Sequence, residues 1–271
     1  MRVKIIPIMT AVFATACASA AVTPGFEFQP ATGPLRYTMH AVNGQVVETP
    51  MGVQEGTATT DITFVMDIGG PTAGGLAVSM VLESLEGKST EQGSYQGGDL
   101  IGKPYKGTLR PDGTVEITDG PETPASLSNL FDPREIMSEL LPPLPPPDQV
   151  GAESWPFRRE TTSETSMSIT SVTVGTARIA GDTTWNGQAA QVIVTEGEAE
   201  LTGSGTPPGS PGELELVVTG PVFVRYVWDG ARGVMLASSS TAELTGDVTV
   251  VGMGMSFPIS FTGDAEVTLQ R

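Results

Sequence analysis

The sequence DPREIMSELLPPLPPP, residues 132–147, interrupts a chain that otherwise alternates between apolar and polar residues. Asp132 can cap a helix, Pro133 suits the first helical position, and Glu135 stands where a capping box places its acidic residue. Four apolar residues then fall on one helical face: Ile136, Met137, Leu140 and Leu141. The sequence therefore predicts one short helix near residues 133–141, followed by a stiff proline-rich connector over residues 142–150.

Period-two alternation, the pattern of half-buried strands, runs on both sides of this segment. In the N-terminal half, residues 32–141, one such stripe ends at Asn43-Gly44, a dipeptide typical of tight hairpin turns. In the C-terminal half, residues 151–271, Trp185-Asn186-Gly187 indicates another hairpin. We expect roughly a dozen antiparallel strands in total.

The position of the helix between the two halves leaves two architectures open. The halves can be two small β domains, or one long sheet that curves around the helix. A lone helix with an apolar face needs a surface to cover, and the inner side of a curved sheet provides it. We therefore predict an all-β fold with a minor α component: a strongly curved antiparallel sheet or half-barrel of two meander halves, with one short central helix followed by the polyproline linker. The prolines could serve as a ligand for a proline-binding domain, but a rigid connector is the preferred interpretation.

The first twenty residues have the pattern of an export signal. Two basic residues near the start precede an apolar run from Ile5 to Ala16, which is too short to span a bilayer. Two cleavage sites compete, the small-x-small triplet Ala18-Ser19-Ala20 and the lipobox-like stretch Ala14-Thr15-Ala16-Cys17. In the second case Cys17, the one cysteine of the chain, would be lipidated and become the new N-terminus.

Lipidation at Cys17 is the favoured alternative, with simple secretion as the other. We expect residues 1–20 to be the signal peptide and residues 21–31 to form a flexible leader. The protein would then be exported, as a periplasmic or outer-membrane-associated lipoprotein that contacts a membrane through its N-terminal lipid.

Composition excludes several classes of function. The chain has 14 Lys and Arg against 31 Asp and Glu, a net charge of −17, so it lacks the basic footprint that nucleic-acid binding needs. One cysteine permits no intramolecular disulfide and no cysteine-based zinc site, and one histidine permits no multi-histidine metal site. We expect no cofactor, no metal and no nucleic-acid partner.

Three stretches together resemble an uncharacterised family of exported bacterial proteins and lipoproteins with a Val-Gly-x-x-Trp box after a proline-rich linker. They are Ile101-Gly102-Lys103-Pro104-Tyr105, Val150-Gly151-Ala152-Glu153-Ser154-Trp155 and Trp228-Asp229-Gly230-Ala231-Arg232-Gly233. The family has no activity that the resemblance could carry over. The expected architecture is also similar to the half-barrel lipoprotein carriers of the bacterial envelope, which is an analogy of shape alone.

The residues that could carry catalysis are few. His40 falls in phase with the polar residues of its strand, and no Gly-x-Ser-x-Gly turn provides a nucleophile for it. Carboxylate groups such as Asp61 with Asp67, or Glu196 with its neighbours Glu198 and Glu200, could hydrolyse glycosides or bind calcium. Their alternation instead predicts the solvated side of a strand. We expect no catalytic residue and a protein that is not an enzyme.

Methionines give the best indication of a ligand, because flexible thioethers can line an adaptable apolar cavity. The candidates on apolar strand faces are Met39, Met66, Met80 and Met167. The leading hypothesis is a non-enzymatic lipoprotein that binds an apolar or amphipathic ligand, or an envelope partner, in its curved sheet. The alternatives are a structural or interaction module of the envelope without a ligand, and a carboxylate-based hydrolase acting on envelope carbohydrate.

Overall fold

The computed structural model describes residues 25–90, 93–124, 127, 132–164, 167–207, 210 and 212–270. The signal peptide and Cys17 lie outside the described residues, and export and lipidation therefore stay predictions. Within the described ranges, no helix has the length and apolar character needed to cross a membrane.

The described residues form twelve strands and one α-helix, α1 (Pro133–Glu139). The strands are β1 (Leu35–Thr49), β2 (Gly52–Pro71), β3 (Leu76–Ser89), β4 (Gly93–Gln96), β5 (Pro104–Leu109), β6 (Val115–Asp119), β7 (Ser154–Glu164), β8 (Met167–Trp185), β9 (Gln188–Gly205), β10 (Leu214–Asp229), β11 (Val234–Val250) and β12 (Met255–Leu269). Short 3-10 turns lie at Gly98–Leu100, Pro147–Gln149 and Val251–Met253.

All twelve strands belong to one antiparallel sheet, in the order β6-β5-β3-β2-β1-β12-β11-β10-β9-β8-β7, with β4 added beside β3. The first and last strands join the two halves, because β1 pairs with β2 on one side and with β12 on the other. The sheet is curved but does not close, since β6 and β7 are its two ends. The predicted fold class, a half-barrel with one short helix, is confirmed.

One of the two predicted Asn-Gly turns is wrong. Strand β1 runs straight through Asn43, which pairs with Ala58 of β2 and with Gly263 of β12. A strand with hydrogen-bonded neighbours on both sides stays extended, so its ladder overrides the local turn preference. The second turn is confirmed: Asn186 and Gly187 both have positive φ, at 50° and 83°, between β8 and β9.

Two glycines on the inner face of β10 and β11 let these neighbouring strands approach each other closely. A Cβ atom on Gly220 would lie 2.0 Å from the carbonyl oxygen of Glu243, and one on Gly246 would lie 2.0 Å from that of Val217. No side chain fits at either position. Glycine therefore allows the close contact between β10 and β11 at these two positions.

Helix α1 lies between the two end strands of the sheet and begins with the predicted Asp132 cap and Pro133, whereas the Glu135 side chain does not close a capping box with Asp132. The carboxylate of Asp132 accepts a hydrogen bond from the Arg134 backbone N–H at 2.9 Å, and Pro133 occupies the first turn. Met137 and the two leucines that follow the helix, Leu140 and Leu141, are buried in the main core. The helix thus covers the inner side of the sheet with its apolar face.

The proline-rich segment is built into the body of the protein. Pro142 to Pro145 are buried. The Trp155 indole N–H donates to the Pro143 carbonyl at 3.2 Å, and the Leu144 backbone N–H donates to the Asp112 carbonyl at 3.2 Å. Because its backbone is buried and hydrogen-bonded, this segment is a structural connector and is not accessible as a ligand for a proline-binding domain.

The described part of the expected leader, residues 25–31, packs on the core instead of extending from it. The Trp228 indole N–H donates to the Gly25 carbonyl at 3.2 Å, and the Phe28 ring meets the Trp228 ring edge to face at 5.2 Å. The Ala31 backbone N–H donates to the Ile68 carbonyl at 2.8 Å. The expectation of a flexible leader over residues 21–31 is corrected for this part, because its aromatic residues have apolar surface to cover.

The inner face is packed at both ends of the long strands. The main core fills one end with large side chains such as Trp155, Trp228, Tyr37 and Phe64. A second cluster fills the opposite end; it consists of Leu216, Val218 and Ile259, with Val47, Met167, Leu201, Leu244, Val248 and Phe261 against them. The middle of the concave face lies between these two clusters.

Candidate functional site

A half-enclosed cavity of about 410 Å³ occupies the middle of the concave face. Helix α1 forms one wall, and the inner faces of β1, β2 and β7 to β12 form the rest. The space exists because the inner residues are small there. In β11, Ser238, Ser240 and Ala242 stand between the larger Leu236 and Leu244.

The helix wall carries two carboxylates. Glu135 and Glu139 are four residues apart, so they lie on the same side of α1, and both line the cavity. The Thr161 hydroxyl donates to the Glu139 carboxylate at 3.4 Å. The Glu139 side chain is exposed, and its accessible surface lines the half-open cavity. Among the described residues, the Glu135 carboxylate has no hydrogen bond and no ion pair.

Arg159, on β7, is the cationic residue of the cavity. It is only 9% exposed, and its two terminal nitrogens donate to the carbonyls of Glu139 and Leu141. These carbonyls end α1, so Arg159 acts as a C-terminal cap whose charge also offsets that of the Glu139 carboxylate. Its Nε has no partner in the described part of the chain.

Burial changes the acidity of this wall. It raises the pKa of Glu135 to about 7, and the neighbouring carboxylates of Glu139 and Asp132 raise it further in the same direction. Burial also raises the pKa of Glu139, against the opposing effects of Arg159 and the Thr161 hydroxyl. The same cause raises the pKa of Tyr226, which lines the cavity beside Arg159. The wall can therefore exchange a proton near neutral pH.

The raised pKa of Glu135 predicts how stability depends on pH. An unfolded chain releases this proton near the ordinary value of 4.5, whereas the folded protein keeps it up to about 7. Because the folded state binds more protons between these values, the free energy of unfolding should fall as the pH rises through this window. At pH 8, Glu135→Gln should raise the free energy of unfolding by on the order of 2 kcal/mol, because the neutral amide carries no buried charge.

The measurement is urea denaturation of the wild type and Glu135→Gln from pH 4 to pH 8. Glu198→Gln, on the exposed outer face of β9, is the control and should follow the wild type throughout. Parallel curves for wild type and Glu135→Gln would show that Glu135 keeps its ordinary acidity in the folded protein.

The structure distributes the four candidate methionines over different environments. Met39 lines the cavity. Met66 and Met80 are neighbours across β2 and β3 and are fully buried in the main core. Met167 packs against the second cluster. Of the four, the cavity wall contains Met39, and the other three belong to the packed regions around it.

The other candidates from the sequence face outward. The His40 ring nitrogen Nδ1 lies 2.7 Å from an Asp61 carboxylate oxygen, and both side chains are exposed. Asp67 is exposed as well. The glutamates of β9 also point to solvent: Glu196, Glu198 and Glu200. Within the described residues, no three His, Cys, Asp or Glu side chains are grouped so that they could hold a metal ion.

Sequence reasoning missed Arg159, Glu139 and Tyr226, and it assigned Glu135 only to a helix cap. One signal was available for Arg159. It follows Trp155 and Phe157 at period two, so a charged residue continues the inner-facing stripe of β7. A charge in such a stripe indicates a buried polar partner.

Comparisons with known proteins leave the family of this chain open. No family of known proteins matches it, and no curated protein matches it. The stretch from Val150 to Trp155 has three residues, not two, between Gly151 and the tryptophan, which departs from the Val-Gly-x-x-Trp box.

Two solved structures align over most of the chain. DynF, from the dynemicin biosynthesis pathway of Micromonospora chersina, is 10% identical over 96% of this chain and 91% of its own, with a TM-score of 0.26. A putative outer membrane lipoprotein-sorting protein domain from Vibrio parahaemolyticus is 9% identical over 87% of this chain and 83% of its own, with a TM-score of 0.15. At these TM-scores neither likeness bears on function.

Proposed function

We propose that the protein is a non-enzymatic binding protein that holds one small amphipathic ligand in the cavity beneath α1. The cavity itself is the observation that carries this proposal. Protein interiors contain few voids larger than a water molecule, whereas here about 410 Å³ separates two packed clusters on one sheet face. This volume falls within the range of small-molecule sites.

The lining favours an amphipathic occupant. The α1 wall carries carboxylates beside the apolar side chains of Ile136 and Leu140, whereas the second cluster at the opposite end is wholly apolar. Hydroxyl groups and small apolar side chains alternate along the sheet between them, for example Ser240 and Ala242. A ligand with a polar head and an apolar tail matches both ends of this space.

The location of this binding protein is part of the proposal and rests on the N-terminal sequence. An apolar segment with two candidate cleavage sites indicates export, and lipidation of Cys17 would tether the binding domain to a membrane. The protein would then bind its ligand in the periplasm or at the outer membrane.

Binding fits the geometry better than the two alternatives do. A purely structural module would fill its concavity with its own side chains, as the two clusters do at the ends of the strands. A glycoside hydrolase places its two carboxyl groups on either side of the bond that it cleaves. Glu135 and Glu139 instead lie one helical turn apart on the same wall.

Two neighbouring serines of β11 provide a matched test. Ser240 lines the cavity, whereas Ser239 is exposed on the outer face of the same strand. Ser240→Phe should fill the cavity and weaken binding at least about tenfold, a loss of about 1.4 kcal/mol of binding free energy. Ser239→Phe adds the same ring to the outer surface and should leave binding unchanged.

Titration calorimetry with three eight-carbon amphiphiles, octylamine, 1-octanol and octanoate, measures this effect. We expect one-to-one binding of at least one of them to the wild type. The proposal fails if none of the three binds, or if both phenylalanine variants bind as the wild type does.

A further inference from the structure

We infer that the protein docks on a bilayer of lipids without net charge through two neighbouring hairpin tips, the β1–β2 tip (residues 49–53) and the β11–β12 tip (residues 251–255). This contact is separate from the predicted lipid on Cys17, and it does not depend on the ligand of the cavity. It follows from the exposed apolar side chains of the tips, from the absence of charge around them, and from the hydrogen bonds within their turns.

The two tips lie side by side at the end of the sheet that contains the second cluster. Strands β1 and β12 are paired as far as Val47 and Ile259, which both belong to that cluster. Each chain then continues four residues further, to Met51 and Met255 respectively. The tips therefore extend beyond the packed end of the concave face.

These tips concentrate the exposed apolar surface of the protein. Of the eleven large apolar side chains exposed in the described part of the chain, five lie here: Met51, Val53, Val251, Met253 and Met255. Met51 is 93% exposed, so nothing in the described chain covers it. Single exposed apolar residues are ordinary, but a group of them on one surface marks a contact with a partner or a membrane.

The charges around the tips favour a lipid surface as the partner. No charged residue stands between Glu48 and Glu55, which flank the first tip. None stands between Asp247 and Asp264, which flank the second. Charges at the rim steer the association of two proteins, whereas charged groups are costly to transfer into lipid. Because the chain has a net charge of −17 and its tips contain no Lys or Arg, anionic lipids should repel it.

Hydrogen bonds within the turns prepare both tips for a water-poor environment, where backbone groups must be satisfied by the protein itself. In the β1–β2 tip, the Thr49 hydroxyl donates to the Gly52 carbonyl at 2.8 Å and accepts from the Met51 N–H at 3.3 Å. In the β11–β12 tip, Gly254 has a φ of 61° and donates its N–H to the Val251 carbonyl at 3.3 Å. Both turns are thus held while their apolar side chains point outward.

Vesicle flotation of the mature protein with Cys17→Ser, which carries no lipid, tests this contact. The protein should float with vesicles of phosphatidylcholine, and replacing about a third of their lipid by anionic phosphatidylglycerol should weaken binding. Introducing Met51→Asp and Met253→Asp together should weaken binding to phosphatidylcholine at least about tenfold, because charges replace two apolar side chains.

The matched control carries Val174→Asp and Phe223→Asp, which place the same charges in the middle of the outer face. These residues are 51% and 40% exposed, and the control should bind as the unsubstituted protein does. Because all four positions are exposed, both double variants should keep its urea midpoint. Fluorescence gives a direct readout: adding vesicles should shift the emission of Met253→Trp to shorter wavelength and leave that of Val174→Trp unchanged.

Three results would overturn the inference. One is a protein that does not float with phosphatidylcholine vesicles. Another is a tip variant that floats as well as the outer-face control. The third is a dimer in solution that the tip substitutions dissociate, since a second copy of the chain would then cover the tips.

Discussion

Arg159→Leu is expected to destabilise the protein by about 3–5 kcal/mol, because it removes two hydrogen bonds from a charged donor, each of which contributes about 1.5–3 kcal/mol. The substitution removes the donors to the Glu139 and Leu141 carbonyls, which end α1. It also removes the positive charge that opposes the rise in the pKa of Glu139. The first loss leaves the two carbonyls without this donor, and a buried acceptor without a partner costs its desolvation energy.

Arg158 is the matched control, because it is the adjacent arginine on the same strand. Its guanidinium pairs with Glu160 at 2.6 Å, but both side chains are more than half exposed. Surface ion pairs contribute about 0–1 kcal/mol, so Arg158→Leu should stay within that range of the wild type. Urea denaturation of both variants at pH 7 provides the comparison. Equal stabilities of the two variants would mean that Arg159 does not hold α1 to the sheet.

Trp155→Ala is expected to cost about 3–5 kcal/mol, the range observed when a large buried aromatic residue is truncated. Trp155 is 1% exposed, and its indole N–H donates to the Pro143 carbonyl at 3.2 Å. Its ring lies 6.2 Å from that of Phe26. The Trp155 side chain therefore connects the start of β7, the proline-rich segment and the N-terminal residues that cover the core.

Two variants calibrate this result. Trp155→Phe retains most of the ring volume and loses the hydrogen bond to Pro143, so it should cost about 1–2 kcal/mol. Trp185→Ala removes a tryptophan that is only partly buried at the β8–β9 hairpin and should cost clearly less than Trp155→Ala. Chemical denaturation measures all three. If Trp155→Ala were no more harmful than Trp185→Ala, the proline-rich segment would not be anchored as described.

The fold class followed from the sequence because its determinants are local. Alternation with period two needs only neighbouring residues to be recognised, and so does the cap of Asp132 and Pro133 that begins α1. The pairing of β1 with β12 is different, because it joins residues such as Tyr37 and Leu269 from opposite ends of the chain. That pairing decides between one sheet and two domains, and no local pattern contains it.

The wrong turn at Asn43 has the same origin. The Asn-Gly dipeptides at residues 43–44 and 186–187 have equal intrinsic preferences for a hairpin. The second lies where β8 ends and becomes a turn, whereas the first lies in a strand with partners on both sides and stays extended. Tertiary hydrogen bonding therefore decides between two identical sequence signals.

The cavity could be predicted only in part. The inner-facing residues of β11 become small at Ser238, Ser240 and Ala242, and this change in size can be read from the sequence. The polar wall could not be found in this way, because Glu135 and Arg159 belong to different elements and meet only through the tertiary fold. The methionines gave a weaker signal, since thioethers fill cores as readily as they line cavities.

Native mass spectrometry of the mature protein, before and after organic-solvent extraction, tests the binding function most directly. After exposure to octylamine, 1-octanol and octanoate, the wild type and Ser239→Phe should each carry one bound molecule that extraction removes. Ser240→Phe should show the bare mass of its chain, because its ring fills the cavity. A bare mass for all three proteins, or equal occupancy of both variants, would contradict the account.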